Sequence, residues 1–175
     1  DKTWKSPSSK FLALEEILEE SMDGGHRVLI FSQFVKLLHL FRSRLDRDQV
    51  RYCYLDGQSD DRQEQVEKFQ SDPNIPLFLI SLKAGGTGLN LTAADTVIFL
   101  DPWWNPAVEA QAIGRAHRIG QKQIVTSLKI VTRNTIEEKI LQLQNRKKEW
   151  IDQTFTDDNA VLQSLNLQEL RSLLE

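Results

Sequence analysis

The chain is poor in the residues that build disulfide-stabilised, metal-binding and membrane-spanning proteins. Its single cysteine, Cys53, excludes an intrachain disulfide and a zinc knuckle, and its three histidines are scattered without the spacing of metal ligands. We therefore predict no metal site in this chain. No apolar run approaches the roughly 18 residues of a membrane span, and the amino terminus lacks the charged-then-apolar pattern of a signal peptide. We expect an intracellular protein that makes no membrane contact.

Two motifs that hold the phosphates and the metal ion of a bound nucleotide are also missing. The sequence contains no G-x-x-x-x-G-K-[ST] phosphate loop and no D-E-x-H-like pair after an apolar strand to hold magnesium. The chain therefore cannot cradle ATP by itself.

What is present is the composition and patterning of one globular domain with a sizeable core. The chain has 175 residues, of which 40% are hydrophobic and 27% are charged. Short apolar runs alternate with segments of helical periodicity, which predicts an α/β fold with a mostly parallel sheet covered by helices on both faces. We predict strands at 27–31, 50–55, 77–81, 96–100 and 124–131, and helices at 9–22, 35–45, 106–120 and 135–150.

The predicted helix boundaries depend on capping residues. Ser59 is the expected N-cap of a further polar helix, Asn105 that of the helix that opens at Pro106, and Thr135 with Glu138 forms a capping box. Residues 1–150 would form one lobe. Residues 151–175 would form a helical extension, consisting of a polar linker and a short brace helix.

A pair of arginines gives the first indication of a ligand. The segment 111–121 reads Q-A-I-G-R-A-H-R-I-G-Q and places Arg115 and Arg118 three residues apart on the predicted helix. Residues at this spacing are neighbours on a helix surface, so the two cations would repel each other unless an anion lies beside them. A polyphosphate is the natural candidate, because guanidinium groups match phosphate oxygens and stay charged. The alternative is an ordinary solvated basic face.

The overall charge distribution is compatible with both interpretations. Residues 111–148 contain nine basic and two acidic side chains, a net charge of +7, which leaves −10 for the rest of a chain whose total is −3. Such an asymmetry fits a basic face for phosphates on an acidic domain, although basic faces also occur for solubility.

A glycine-rich segment supplies a second candidate binding element. Residues 81–90 read S-L-K-A-G-G-T-G-L-N and follow a predicted strand, so the backbone could approach a phosphate and present free N–H groups to it. A mononucleotide or a DNA backbone would fit. The pattern lacks the third glycine of a dinucleotide-binding loop, which argues against a dinucleotide cofactor. A structural turn that binds no ligand is the remaining alternative. In a parallel sheet, this loop and those at 32–36, 56–59 and 101–105 would emerge at the carboxyl ends of the strands, where ligands collect.

Six motifs, taken in order, resemble those of SWI/SNF-type DNA translocases, and the resemblance covers about residues 9–150. They are Ser9-Lys10, V-L-I-F-S-Q-F (28–34), L-D-G (55–57), S-L-K-A-G-G-T-G-L-N-L-T (81–92), D-P-W-W-N-P (101–106) and Q-A-I-G-R-A-H-R-I-G-Q (111–121). The resemblance implies the second, carboxyl-terminal RecA-like lobe of a superfamily 2 motor. ATP and Mg²⁺ would be held mainly by a first lobe of the same polypeptide, and this lobe alone would be inactive.

The resemblance also implies partners and roles for individual residues. The partner would be double-stranded DNA, with DNA-bound proteins or nucleosomes as possible further partners, in the nucleoid of a bacterium or the nucleus of a eukaryote. Arg118 would reach the γ-phosphate, Arg115 would lie near the phosphates, and Gln111 would order both. The implied nucleotide contacts are Gly86, Gly88 and Asn90, and the implied contacts to the DNA backbone are Ser32, Gln33, Gly57, Ser59, Ser81, Lys83, Ala84 and Gly85.

Two tryptophans and one glutamine receive no single role. Of Trp103 and Trp104, one is expected in the core, and the other could meet the first lobe or the minor groove. Gln121 stays unassigned. Two rival functions also stay open, a strand-separating helicase lobe for RNA or DNA and a non-catalytic DNA or protein adaptor.

Overall fold

A parallel sheet of five strands forms the centre of the described part of the chain. The computed structural model describes residues 8–84, 88–118, 121 and 123–153. The strands are β1 (Val28–Ser32), β2 (Tyr52–Leu55), β3 (Leu77–Ser81), β4 (Thr96–Phe99) and β5 (Thr126–Lys129), and the helices are α1 (Ser9–Asp23), α2 (Val35–Arg47), α3 (Arg62–Ser71), α4 (Pro106–Ala116) and α5 (Ile136–Gln153). The strand order is β2-β3-β1-β4-β5, and all four pairings are parallel.

Helices cover both faces of the sheet, as the sequence predicts. The apolar strands β1 and β3 are buried along their whole length, and alternate residues enter two different cores. Val28 and Ile30 pack with α1 and α2, whereas Leu29 and Phe31 pack with α3 and α4. None of the helices in the described residues is long and apolar enough to cross a membrane.

Strand β5 is shorter than the predicted 124–131. It lies at the sheet edge, pairs only with β4, and is mostly exposed. Pairing starts where Thr126 N donates to the Asp95 carbonyl oxygen at 2.8 Å, and Ile124 before it is 91% exposed. The apolar run at 124–131 is therefore longer than the strand, because an edge strand extends only as far as the neighbouring strand with which it pairs.

The prediction of Ser59 as a helix N-cap is wrong. Helix α3 begins at Arg62 with Asp61 at the N-cap position. The Ser59 hydroxyl closes the preceding turn instead, since its Oγ accepts from Asp56 N at 3.0 Å and donates to Asp56 Oδ1 at 3.2 Å. The helix starts two residues later than predicted, because the Ser59 hydroxyl already makes its hydrogen bonds within that turn.

The other caps agree with the sequence more closely. Asn105 Oδ1 accepts from Ala107 N at 3.0 Å, so α4 opens at Pro106 as predicted. At α5, Thr135 Oγ1 accepts from Glu137 N at 3.2 Å, and Glu138 Oε2 accepts from Asn134 N at 3.0 Å. Both residues cap the helix, although each reaches a backbone N–H one position from that of a capping box. Helix α5 continues to Gln153, and the predicted brace helix lies in 154–175, outside the described residues.

Candidate functional site

The predicted site residues fall into two groups, which the glycine-rich loop connects. The loop leaves the carboxyl end of β3, where Leu82 N donates to the Ser32 carbonyl oxygen at 2.9 Å. It ends beside the last turn of α4, where Leu91 N donates to the Arg115 carbonyl oxygen at 3.1 Å. One group therefore lies at the carboxyl edge of the sheet, and the other lies along the face covered by α3 and α4.

Arg115 is the most unusual residue of the second group, because its charge is buried without compensation. The side chain projects from the last turn of α4, and the residue is only 3% exposed. Its Nε and Nη1 atoms are buried and have no hydrogen-bond partner among the described residues. Burial lowers the pKa of Arg115, and the positive charges of Arg118 and Arg62 lower that pKa further. Such an arrangement is unfavourable until an anion enters it.

Arg118 does not share a helix with Arg115, so that part of the prediction is wrong. Helix α4 ends at Ala116 with His117 at the C-cap, well before Gly120, and Arg118 is an exposed residue of the turn that follows. Arg118 N donates to the Ala116 carbonyl oxygen at 3.2 Å. The two arginines are nevertheless close enough for the charge of one to depress the pKa of the other.

Gln121 explains why the helix ends early. Its side-chain Nε2 donates to the carbonyl oxygens of Ala94 at 2.7 Å, Thr92 at 3.1 Å and Ala116 at 3.5 Å. Its backbone N donates to the Arg118 carbonyl oxygen at 2.9 Å. The residue left unassigned by the sequence therefore fastens the Arg118 turn to the segment that follows the glycine-rich loop.

Three of the remaining residues predicted for the nucleotide lie in the described part of the chain, and all three, Gln111, Gly88 and Asn90, are exposed. Gln111 is exposed on α4, one turn before Arg115. Gly88 has a φ of +54°, a conformation that favours glycine, and a Cβ atom at this position would meet no other atom within 4 Å. Gly88 and Asn90 line a cavity of about 400 Å³ together with Arg62. Gly85 and Gly86 lie outside the described residues.

Arg62 belongs to this site, although sequence reasoning missed it. It occupies the first position of α3, and its Nη2 donates to the carbonyl oxygen of Ala84. Its Nε is buried without a partner among the described residues. One local signal was available, since the amino-terminal end of a helix disfavours a cation.

At the carboxyl edge, the predicted DNA contacts separate into exposed and buried residues. Lys83 and Gly57 are exposed, and Gln33 and Ser59 are half-buried. Ser32, Ser81 and Ala84 are buried, and the two serine hydroxyls bond within the protein. The first four residues can therefore meet a ligand directly, whereas the other three shape the loops that carry them.

Asp101 organises the middle of this edge. Its carboxylate accepts a hydrogen bond from the Ser32 hydroxyl and another from Gln33 N at 3.0 Å. The residue is 1% exposed, and burial raises the pKa of its carboxyl group although hydrogen bonds from Ser32 and Gln33 oppose the change. The aspartate of D-P-W-W-N-P thus fixes the V-L-I-F-S-Q-F loop.

The turn after β2 is organised in the same way by Asp56. Burial opposes ionisation of this carboxyl group, but hydrogen bonds from Tyr54, Gln58 and Ser59 outweigh it and hold the pKa below its ordinary value. The Gln58 N–H and the Tyr54 hydroxyl donate at 2.9 and 2.7 Å. Gly57 is thereby presented at the tip of a rigid turn.

A buried polar network supports the two-tryptophan loop. Glu109 accepts hydrogen bonds from Trp103 N at 2.8 Å, Gln144 Nε2 at 2.9 Å and Lys129 Nζ at 2.6 Å. Both tryptophans are half-buried, and Trp103 packs against the core on the α3 and α4 face. Trp103 is therefore the tryptophan that contacts the core.

Comparisons with known proteins show the family to which the chain belongs. The family model described as helicase conserved C-terminal domain matches residues 9–120. The chain is 46% identical over 144 residues to the chromatin-remodeling ATPase INO80 of Emericella nidulans, covering 81% of this chain and 9% of that protein. It is 41% identical over 170 residues to an uncharacterised ATP-dependent helicase of Mycoplasma pneumoniae, covering 96% of this chain and 16% of that protein.

A solved structure gives the same result for the fold. The C-terminal part of the Fun30 ATPase domain superposes with a TM-score of 0.76 at 40% identity, covering 82% of this chain and 47% of the other. This likeness confirms the RecA-like α/β fold. The chain spans only a small part, between 9% and 16%, of the length of the INO80 and Mycoplasma relatives. By motif, sequence and fold, the chain belongs to the helicase conserved C-terminal domain family, as a RecA-like C-terminal lobe of the SWI/SNF type.

Proposed function

We propose that this lobe is the second half of an ATP-dependent motor that translocates along double-stranded DNA. ATP would bind between this lobe and a first lobe of the same polypeptide. Closure of the two lobes would bring Arg118 to the γ-phosphate and Arg115 to the neighbouring phosphates, and Gln111 would help to order the pair. Arginine fingers of this kind stabilise the charge that develops during phosphoryl transfer.

The observation that carries this proposal is the uncompensated charge of Arg115. Two of its guanidinium nitrogens are buried without partners, and Arg118 and Arg62 add positive charge nearby. A triphosphate supplies both the hydrogen-bond acceptors and the negative charge that this arrangement lacks. Gly88 and Asn90 line the adjacent cavity, where the backbone can approach the nucleotide.

The first lobe would supply what this lobe lacks. The sequence has no phosphate loop, and the described residues contain no cluster of three or more acidic, histidine or cysteine side chains that could hold a metal ion. We therefore assign Mg²⁺ and the attacking water to the first lobe. The lobe described here would contribute charge stabilisation and the motion of its DNA contacts.

The carboxyl edge supports the DNA half of the proposal. Gln33, Gly57, Ser59 and Lys83 reach the surface on loops that leave adjacent strands β1, β2 and β3. Amide, hydroxyl, ammonium and backbone N–H groups suit the phosphate backbone, and such contacts position a motor without reading sequence. Such a motor would act in a nucleoid or a nucleus, and DNA-bound proteins are candidate further partners. The name of the INO80 relatives makes nucleosomes one candidate load.

ATP turnover by this chain and by the two-lobe polypeptide, each with duplex DNA, with RNA and without nucleic acid, tests the proposal. We expect no turnover from this chain and DNA-stimulated turnover from the two-lobe polypeptide. Preference for RNA, or strand separation, would favour the strand-separating helicase instead. A two-lobe polypeptide that binds DNA without hydrolysing ATP would favour the adaptor.

A further inference from the structure

Arg62 stands where local physical chemistry disfavours an arginine. It is the first residue of α3, where the partial positive charge of the helix terminus repels a cation. The residue is half-buried, its Nη2 donates to the Ala84 carbonyl oxygen, and its Nε is buried without a partner among the described residues. Arg62 also lines the cavity that Gly88 and Asn90 share. Its Nε is therefore a hydrogen-bond donor that a ligand in this cavity could satisfy.

Arg62 also adds to an existing concentration of positive charge. Its charge is one of the two that depress the pKa of Arg115, after burial, and Arg118 supplies the other. No carboxylate among the described residues forms an ion pair with any of these three arginines. The buried, unpaired nitrogens of the group belong to Arg62 and Arg115. Arg62 and Arg118 are thus close enough to Arg115 to act on its charge, and the described residues supply no counter-charge for the three arginines.

The contact with Ala84 connects this place to the other half of the site. Ala84 N donates in turn to the hydroxyl of Ser81 at 3.2 Å, at the end of β3. Lys83, between them, is exposed at the carboxyl edge. A displacement of the Arg62 guanidinium group would therefore also displace the segment that carries Lys83.

We propose that Arg62 is a positioning residue that couples the anion held by Arg115 and Arg118 to the DNA-facing start of the glycine-rich loop. One arm of its guanidinium group holds the Ala84 carbonyl oxygen, and its remaining positive charge faces the anion. This inference depends on the proposed function, because the anion is the triphosphate assigned there. Without Arg62, binding of the phosphates would have less effect on the position of residues 81–84.

The test uses the two-lobe polypeptide and three variants. Arg62→Met removes the charge and the fork but keeps an unbranched side chain, and Arg62→Lys keeps only the charge. Arg47→Met is the control, because Arg47 is an exposed residue that pairs with Asp48 at the end of α2. The readouts are kcat and KM for ATP at saturating duplex DNA, DNA affinity without nucleotide, and the melting temperature.

We expect Arg62→Met to lower kcat about 10- to 100-fold, the range for loss of one charged hydrogen bond. KM for ATP and DNA affinity should change less than kcat. Arg62→Lys should fall between Arg62→Met and the unchanged protein, because an ammonium group cannot bridge the carbonyl oxygen and the anion as a planar fork does. Arg47→Met should behave like the unchanged protein.

Two results would overturn the inference. One is an Arg62→Met variant that turns over ATP like Arg47→Met, and the other is an Arg62→Lys variant with full activity. If Arg62→Met fails to fold, Arg62→Lys still decides the question. Arg118→Ala, measured in parallel, separates the two proposals. Loss of turnover in Arg118→Ala with full activity in the Arg62 variants would reject only the role of Arg62, whereas full activity in Arg118→Ala would reject the proposed function.

Discussion

Replacing Arg115 by methionine should make the isolated 175-residue chain more stable, although it should abolish turnover in the two-lobe polypeptide. Two nitrogens of the buried guanidinium, Nε and Nη1, have no hydrogen-bond partner among the described residues. An unsatisfied buried donor costs about 1–3 kcal/mol. Methionine removes both unpartnered nitrogens and the charge, and it retains most of the packing of the aliphatic stem. Allowing for incomplete relaxation, we expect a gain of about 1–3 kcal/mol in the free energy of unfolding.

Urea unfolding and thermal melting measure this gain. A change of that size in a chain of this length raises the melting temperature by about 2–12 °C, and the urea m-value should not change. Pyrophosphate should raise the melting temperature of the unchanged chain, because a ligand that binds only the folded state stabilises it. The same addition should have little effect on Arg115→Met.

The matched control is again Arg47→Met, which removes an exposed arginine on the opposite face of the sheet. It should leave both the melting temperature and the response to pyrophosphate nearly unchanged. A less stable Arg115→Met variant that still responds to pyrophosphate would refute the reasoning. Arg115 would then be a satisfied structural residue, and the anion would bind elsewhere.

Two further predictions concern residues that support the site. Burial raises the pKa of Asp101, so the folded state binds its proton more tightly than the unfolded state does. The stability of the unchanged chain relative to Asp101→Asn should therefore be highest below the ordinary aspartate pKa and should fall as the pH rises through the raised value. Urea unfolding from pH 3.5 to 7 measures it, and a constant difference would contradict the assignment. Gln121→Ala should destabilise the chain by about 1–3 kcal/mol and reduce turnover in the two-lobe polypeptide, because three backbone carbonyl groups lose a donor near Arg118. A destabilised variant with full turnover would show that Gln121 does not position Arg118.

The sequence predicts best where structure is decided locally. The three inner strands, β3, β1 and β4, are apolar runs bounded by polar or glycine-containing turns, and the α/β alternation follows from them. The start of α4 was equally clear, since Asn105 and Pro106 are both strong start signals.

The sequence predicts less well where a distant residue decides. Helix α4 ends at Ala116, where the Gln121 side chain donates to the carbonyl oxygens of Thr92 and Ala94, a contact that no local pattern shows. Ser59 and Asp61 are both good N-cap types, and the hydrogen bonds of Ser59 to Asp56 decide between them. The family motifs identified Arg118 as a candidate site residue, although the helix that was predicted to carry it ends at Ala116.

Arg62 and Asp101 show what pattern reading leaves out of the site itself. Neither was predicted as a site residue. Asp101 matters because β1 and β4 are neighbours in the sheet, which brings its carboxylate to Ser32. Arg62 matters because the segment that follows β3 brings the Ala84 carbonyl oxygen within reach of the start of α3. Both contacts depend on strand order and loop path, and these follow from the fold as a whole.

The most direct test of the central claim is ATP turnover by the Arg118→Ala variant of the two-lobe polypeptide at saturating duplex DNA. Our account predicts a fall in kcat of about 10³-fold or more, as for the loss of an arginine finger. DNA affinity in the absence of nucleotide should stay close to that of the unchanged protein, because Arg118 lies away from the carboxyl edge. Retention of normal turnover would contradict the account, since the arginines would then serve no phosphate.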